Sequence, residues 1–317
     1  MRAPGMLMAR GALAPFRTPI VLAMIAVSTI AHTTPLFAIS LAKWLLPIAA
    51  FRAACASLLV RIAESWIGFN SWLMDRFTPT AFVLTGLDGL ARDGHYLVLA
   101  NHRSWVDILV MQKVFNRRIP FLRFFLKREL IWVPLLGVAW WALDFPFMRR
   151  ASRKQLARRP ELAVRDIEAT RRACEKFKGI PVGIMNFVEG TRFTPEKHAR
   201  QRSPFAHLLK PKAGGVAFVL DAMGSALHSV VDVTIFYPGG TPTLMDLIAG
   251  RIPGVVVDVR QREIPVELLQ SDYASDATSR VRFQRWVNTL WMDKDQLLAK
   301  LDGPSQASLS TASPEPR

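Results

Sequence analysis

The sequence contains little cysteine, because Cys55 and Cys174 are the two that occur in 317 residues and they lie far apart. A disulfide framework or a structural zinc site needs more cysteines, or the short paired spacing of a zinc motif. We therefore expect neither kind of site. Such scarcity is typical of a protein in a reducing compartment, so we expect the globular part to lie on the cytosolic side.

Signatures of several common enzyme classes are also missing. The sequence has no Walker-type phosphate loop, no glycine fingerprint for dinucleotides, no His-Glu-x-x-His zinc motif and no nucleophile-elbow serine. These absences leave transfer chemistry that requires neither nucleotide hydrolysis nor a metal ion.

Acidic residues are outnumbered by basic ones, 25 against 41, which gives a formal net charge of +16. Such an excess predicts an anionic partner, either a nucleic acid or the surface of a membrane. Nine tryptophans favour the membrane, because indole rings concentrate at the interface between lipid and water. A membrane-anchored nucleic-acid-binding protein is the alternative, although no recognisable binding motif is present.

Charged residues are absent from positions 18–42, a stretch that at about 1.5 Å per residue could cross a hydrocarbon core of roughly 30 Å. The segment 32–35 contains histidine, two threonines and proline and interrupts this run. We therefore predict two helices, about 19–32 and 35–63, that form a membrane-associated hairpin. The hairpin would dip into one leaflet or barely span the bilayer. A cleaved signal peptide is the alternative, because basic residues precede the apolar run.

The stretch 101–107, Asn-His-Arg-Ser-Trp-Val-Asp, carries the clearest chemical signal. It follows an apolar run that is predicted to be a buried strand, and it precedes the first turns of a predicted helix. Asp107 can accept a hydrogen bond from one ring nitrogen of His102 and leave the other nitrogen free to take a proton. The pair is therefore a candidate general base. The alternative is that His102 and Asn101 cap the helix.

A second apolar run, 184–188, leads into Glu-Gly-Thr-Arg at 189–192. The order Asn-His, four residues, Asp, and later Phe-x-Glu-Gly-Thr-Arg resembles the glycerophospholipid acyltransferases, specifically the lysophosphatidic acid acyltransferase-like family, over roughly residues 80 to 240. The resemblance implies a membrane-bound enzyme that transfers a fatty acyl group to the free hydroxyl of a lysophospholipid, most directly 1-acyl-sn-glycerol 3-phosphate. It implies no cofactor or metal, and an acyl donor that is acyl-CoA or acyl carrier protein.

The resemblance also implies roles for single residues. His102 would deprotonate the acceptor hydroxyl while Asp107 holds the imidazole. The implied substrate-binding residues are Asn101, Arg149, Glu189, Gly190, Thr191, Arg192 and Lys212. Arg149 is preferred to Arg150 as the second phosphate ligand, although spacing alone does not separate the two. Ser104 as a covalent nucleophile is the rival mechanism, and it requires an additional intermediate.

Short apolar runs alternate with helical patterns after residue 77, which is typical of α/β proteins. We predict a layered strand-helix acyltransferase domain with a mixed central sheet at 78–302. The hairpin and an interfacial helix would precede it at 1–77, and a disordered tail rich in serine and proline would follow at 303–317. The apolar segment 131–147 is expected to lie half in the interface or to line an acyl-chain pocket.

One block departs from the family pattern. Many members carry a proline in the fourth block, where this chain has Asp232-Val233-Thr234 and resembles a sub-branch of longer lysophospholipid acyltransferases. Another lysophospholipid headgroup is therefore an alternative acceptor, and a catalytically inactive lipid-binding scaffold is a further alternative. The expected location is the bacterial inner membrane, with the catalytic domain on the cytoplasmic side.

Overall fold

The computed structural model describes residues 17–148, 168, 172, 174, 175, 177, 179–227, 229–269, 273 and 276–303. Its first two elements are long helices, α1 (Arg17–Leu45) and α2 (Ala49–Phe77), which pack against each other as a hairpin. By length and composition, α1 could cross a membrane.

The predicted position of the turn in this hairpin is wrong. Pro35 lies inside α1, and the chain turns at 46–48, around Pro47. Proline costs a helix one backbone donor, but neighbouring side chains bond the preceding turn: Thr33 donates to the carbonyl of Thr29, and Thr34 to that of Ile30. The helix is nevertheless continuous at the segment 32–35, where the sequence predicted a break.

A six-stranded sheet follows the hairpin, in the spatial order β1-β8-β7-β2-β6-β3. Its strands are β1 (Ala81–Thr85), β2 (His95–Ala100), β3 (Leu122–Phe124), β6 (Val182–Phe187), β7 (Ser229–Phe236) and β8 (Gly254–Arg262). β7 and β8 pair antiparallel, and the other pairs are parallel. The short strands β4 (Leu126–Lys127) and β5 (Phe147–Met148) form a separate parallel pair. The prediction of a mixed central sheet is therefore confirmed.

Helices connect these strands and cover the sheet. They are α3 (Val106–Phe115), α4 (Leu136–Ala142), α5 (Pro195–Gln201), α6 (Ala213–Met223), α7 (Leu244–Ile248), α8 (Val266–Leu269) and α9 (Ala277–Asp302). Two 3₁₀ turns, Arg128–Trp132 and Gly224–Ala226, complete the described secondary structure. Of the predicted tail, Gly303 is described, and 304–317 lie outside the described residues.

Alternate residues of β2 point into two hydrophobic cores, as the pleat of a strand requires. Val98 and Ala100 pack into the core on the side of the hairpin, α3 and α4. Leu97 and Leu99 pack into the core on the side of α6 and α9. The sheet is therefore the middle of three layers, and a strand apolar on both faces is what such a position needs.

The parallel pairing of β2 and β6 determines where the site forms. Ala100 lies opposite Phe187 in the register of the two strands. The segments that follow these residues, 101–107 and 188–193, therefore leave the same edge of the sheet side by side. The two sequence blocks, which are distant along the chain, meet at this edge.

Candidate active site

The loop 101–105 is organised by the carboxylate of Asp107, in the first turn of α3. Its Oδ2 atom accepts hydrogen bonds from the backbone N–H groups of Arg103, at 2.6 Å, and Ser104, at 2.8 Å. A carboxylate near a helix N-terminus is also favoured by the helix dipole. Asp107 is fully buried, so these bonds fold the loop back onto the start of the helix.

The same carboxylate oxygen holds the imidazole of His102. The Nδ1 atom of His102 lies 2.8 Å from Asp107 Oδ2, so the ring donates its Nδ1 proton to the carboxylate. The ring also stacks on Phe187, with centroids 3.9 Å apart. Because the His102 side chain is 13% exposed, Nε2 is the atom left to meet a substrate. The structure thus brings the two residues of the predicted pair into the contact that a general base requires.

Glu189 supports the loop from beneath. One of its oxygens accepts from the backbone N–H of His102 and the other from that of Leu209, each at 3.0 Å. Its side chain has no exposed surface, and burial raises the pKa of this carboxyl to about 7, against the opposing effects of the two N–H groups and of Arg103 and Lys294. The resemblance implied contact with the acceptor; in the structure, both oxygens of Glu189 accept hydrogen bonds from backbone N–H groups.

Asn101 also bonds to protein instead of facing the cleft. Its side-chain oxygen accepts from the backbone N–H of Ile235, and its side-chain nitrogen donates to the carbonyl of the same residue, both at 2.9 Å. Asn101 is completely buried. It therefore fastens the end of β2 to β7, and its implied role in substrate binding can operate through the position of its neighbour His102.

The remaining residues of the second block form a tight turn above Glu189. Gly190 has φ +69°, and a Cβ atom there would lie 2.9 Å from the Nζ atom of Lys212, so glycine suits this position on both grounds. The hydroxyl of Thr191 accepts from the Nζ atom of Lys197 at 2.8 Å. The backbone N–H of Lys212 donates to the carbonyl of Val188, which places Lys212 beside the turn.

Arg192 lies next to His102 at the same edge of the sheet. The backbone N–H of Phe193 donates to the carbonyl of His102 at 2.7 Å, which joins the two loops directly. The guanidinium of Arg192 stacks over the ring of Trp105, 4.8 Å from its centroid, and both side chains are exposed. Arg149 and Arg150 lie outside the described residues.

Ser104 has contacts that disfavour the rival mechanism. Its hydroxyl donates to the carbonyl of Pro242 at 2.5 Å and accepts from the backbone N–H of Val106 at 3.0 Å. The residue is almost completely buried. Both contacts join the Ser104 hydroxyl to the protein backbone, so its proton is already donated to a carbonyl and not to a neighbouring base.

Two contacts at the site were not predicted from the sequence. The hydroxyl of Tyr237 donates to Asp107 Oδ1 at 2.7 Å. Below the site, buried Lys294 of α9 forms an ion pair with Asp232 at 2.7 Å and bonds to the carbonyl of Val233. The second contact gives Asp232 of the unusual fourth block a structural partner. A buried carboxylate in an apolar strand was the signal that could have indicated a distant cation.

Within the part of the chain that the structure describes, no group of three or more His, Cys, Asp and Glu side chains could hold a metal ion. The arrangement can instead move a proton at His102 Nε2 and attract an anion at Arg192.

Residues 81–238, about half of the chain, match the family model described as Acyltransferase, and the chain belongs to that family. The two sequence blocks and the paired strands that carry them fall within the matched region.

Particular relatives can also be named. The chain is 26% identical to mouse 1-acyl-sn-glycerol-3-phosphate acyltransferase gamma and 27% identical to the human delta enzyme, each over 76% of this chain and 60% of the relative. It therefore spans about three fifths of the length of these relatives. Its fold is similar to the crystal structure of the 1-acyl-sn-glycerophosphate (LPA) acyltransferase PlsC from Thermotoga maritima, with a TM-score of 0.52 and 15% identity, over 91% of this chain and 98% of that one.

Proposed function

We propose that this protein transfers a fatty acyl group from an acyl thioester to the free hydroxyl of a lysophospholipid. The preferred acceptor is 1-acyl-sn-glycerol 3-phosphate, and the product is then phosphatidic acid. The single observation that carries the proposal is the contact between His102 Nδ1 and Asp107 Oδ2, beside the exposed guanidinium of Arg192, in a region that belongs to the acyltransferase family.

The chemistry needs a base and little more, because a thioester is already activated. His102 Nε2 takes the proton of the acceptor hydroxyl while that oxygen forms a bond to the thioester carbonyl carbon. The carbon–sulfur bond then breaks, the thiolate leaves, and the imidazolium returns the proton to it. Asp107 stabilises the imidazolium while it exists.

Arg192 suits the phosphate of the acceptor. A guanidinium presents a planar fork of donors that matches two phosphate oxygens, and it remains charged at any physiological pH. Its contact with the ring of Trp105, 4.8 Å from the centroid, restrains the group while the side chain remains exposed. Lys212 and either Arg149 or Arg150 are the further phosphate ligands that the family resemblance implies.

Aromatic rings also connect the site to a small, mainly apolar cavity in the interior. Phe187 stacks on His102, and Phe124 stacks between Phe187 and Phe145, which lines an apolar cavity beneath the hairpin. Other walls of the cavity come from α1, α2 and α4, and include Leu36, Trp66, Trp140 and Leu143. A row of aromatic rings therefore runs from the proposed base toward this cavity, whose volume of about 50 Å³ is much smaller than a fatty acyl chain.

Exposed apolar side chains support a membrane location. On α1 and the turn that follows it they include Val27, Ile30, Leu41, Trp44 and Ile48, and near α4 they include Trp132, Val138 and Trp141. A surface of this kind is favourable when lipid covers it, because apolar area then leaves water. Buried Ala139 and Ala142 of α4 face the protein core instead. We propose that the exposed side chains of this segment face lipid, while its buried side chains form a wall of the cavity.

We place the catalytic domain on the cytoplasmic side of a bacterial inner membrane, where the donor is acyl-CoA or acyl carrier protein. The net charge of +16 suits both the anionic lipid surface and an acidic donor.

The test is acyl transfer by the purified protein in vesicles, supplied with a panel of lysophospholipids and labelled acyl thioesters and analysed by mass. We expect diacyl products, with the glycerol 3-phosphate headgroup preferred. His102→Ala should lower turnover at least about a hundredfold, the range of general base catalysis. His207→Ala removes another imidazole near the site that does not contact Asp107, and it should remain active.

Two results would contradict the proposal. A His102→Ala protein that keeps a tenth of wild-type turnover would exclude His102 as the base. Salt-sensitive binding to DNA with no acyl product from any lysophospholipid would favour the nucleic-acid-binding alternative.

A further inference from the structure

Tyr237 lies directly after β7 and is buried, with 5% of its surface exposed. Its hydroxyl donates to Asp107 Oδ1 at 2.7 Å. A buried tyrosine hydroxyl needs a partner, and an ionised carboxylate is a stronger one than a neutral group. The contact crosses 130 positions of sequence, so it is a product of the fold and not of a local turn.

Hydrogen bonds near the end of β7 determine where the side chain of Tyr237 lies. Asn101 bonds both backbone groups of Ile235, two residues before Tyr237, and thereby fixes the end of β7 against the end of β2. Because α3 follows the loop after β2, its first turn carries Asp107 to the same place. Asn101 therefore holds the end of β2, which leads into the loop of His102, against the end of β7, which leads to Tyr237.

The two oxygens of Asp107 have different partners. Oδ2 receives the ring N–H of His102 and the backbone N–H groups of Arg103 and Ser104. In the described part of the chain, Oδ1 receives one hydrogen bond, from Tyr237. Since Asp107 has no exposed surface, bulk water does not reach Oδ1 to replace that donor.

We propose that Tyr237 is a positioning residue for the acyl transfer reaction, which fixes the carboxylate of Asp107 and withdraws part of its charge from His102. This inference rests on the proposed function. In this arrangement the hydroxyl holds the carboxylate plane so that Oδ2 meets the imidazole. It also limits how strongly the carboxylate retains the imidazolium proton, which must return to the leaving thiol.

Burial and the neighbouring Asp107 raise the pKa of Tyr237 well above its usual value. The hydroxyl consequently keeps its proton, and acts as a donor, at neutral pH.

Tyr237→Phe removes the hydroxyl and keeps the ring, so the core around it stays filled. We expect kcat to fall about tenfold, the effect of losing one hydrogen bond to a buried charged group. KM for either substrate should change little, because Tyr237 does not touch them. A carboxylate with one donor fewer attracts the imidazolium more strongly, so the acid limb of the pH profile should move to higher pH.

Tyr96→Phe is the matched control. Tyr96 is also buried, and its hydroxyl accepts from the backbone N–H of Ala91 near the opposite end of β2, away from Asp107. This variant should keep wild-type kcat and the wild-type pH profile, which separates the loss of a buried hydroxyl from the loss of the contact with Asp107.

Titration of His102 by NMR, assigned with His102→Ala, gives a second measurement that does not depend on turnover. Its midpoint should rise in Tyr237→Phe and remain unchanged in Tyr96→Phe. If the wild-type protein transfers no acyl group and the midpoint nevertheless shifts, the proposed function fails while the effect of Tyr237 on His102 stands. An active wild type whose kcat, pH profile and titration are all unaffected by Tyr237→Phe overturns the inference.

Discussion

The site has a buried half and an exposed half, and they are built on different principles. Asn101, Asp107, Glu189 and Tyr237 are buried, and their polar side-chain groups are engaged by protein partners. Trp105, Arg192 and Lys212 are exposed at the same edge of the sheet. His102 lies between the halves: its Nδ1 atom is bonded to the buried carboxylate, and its side chain is 13% exposed.

This difference implies that the buried residues determine the geometry of the site and that the exposed residues bind the substrate. A buried polar group that already has its hydrogen bonds cannot bind a ligand without losing them, so its contribution is to hold neighbours in place. An exposed guanidinium stacked on a ring is restrained and can still bond an incoming phosphate. The buried half should therefore control kcat, and the exposed half should control KM.

The largest expected effect in this comparison comes from Glu189→Gln. An amide presents an acceptor to one of the two backbone N–H groups, of His102 and Leu209, and a donor to the other. We expect kcat to fall about 10- to 100-fold, with KM for the acceptor nearly unchanged, since a buried N–H group left unpaired costs about 1–3 kcal/mol. Steady-state kinetics on vesicles would measure both constants. A rise in KM with normal kcat would mean that Glu189 binds the acceptor directly.

The same variant tests the electrostatics of the buried half. The pKa of Glu189 is raised from 4.5 to about 7, so the folded protein holds this proton more tightly than the unfolded chain does. The resulting stability is present below pH 4.5 and is lost as the pH rises through about 7, by an amount on the order of 3 kcal/mol. As the pH rises from 5 to 8, the Tm of the wild-type protein should therefore fall relative to the Tm of the Glu189→Gln variant. A constant difference in Tm would contradict the raised pKa.

Arg192→Lys should have an intermediate effect, confined to the exposed half. Lysine keeps the charge but loses the planar fork and the stacking over Trp105. We expect KM for the lysophospholipid to rise about tenfold, with KM for the acyl thioester unchanged. Equal changes in both constants would show that Arg192 is structural. Arg200→Lys, on the exposed surface of α5, is a control for the substitution itself.

Trp132→Ser should have the smallest effect, because Trp132 is far more exposed than buried, at 85%. Loss of one interfacial indole should weaken binding to anionic vesicles about three- to tenfold. Turnover with a short-chain acceptor in detergent should stay at the wild-type value. Vesicle co-sedimentation would measure the first quantity, and unchanged sedimentation would remove Trp132 from the proposed membrane surface.

The sequence predicted the parts of the site that depend on local order. A strand, a polar turn and a helix around His102 follow from apolar periodicity, and Asp107 lies in the first turn of that helix. The mixed sheet was predicted correctly for the same reason. The meeting of Tyr237 with Asp107 and of Lys294 with Asp232 depends on strand order, which apolar runs of similar composition do not encode. The turn of the hairpin was misplaced because Pro35 was expected to break the helix, whereas α1 continues through it and the chain turns at 46–48, around Pro47.

The ion pair between Lys294 and Asp232 has a consequence for any attempt to shorten this protein. The matched region ends at residue 238, yet Lys294 of α9 pairs with Asp232 on β7. The next residue of α9, Asp295, accepts hydrogen bonds from the backbone N–H groups of Ala206 and His207. These residues lie close in sequence to Leu209, whose backbone N–H donates to Glu189. A fragment that ends at residue 238 would leave the buried carboxylate of Asp232 without Lys294. It would also lose the contacts of Asp295 with the segment that precedes Leu209. The smallest unit able to fold around this chemistry therefore extends to the end of α9.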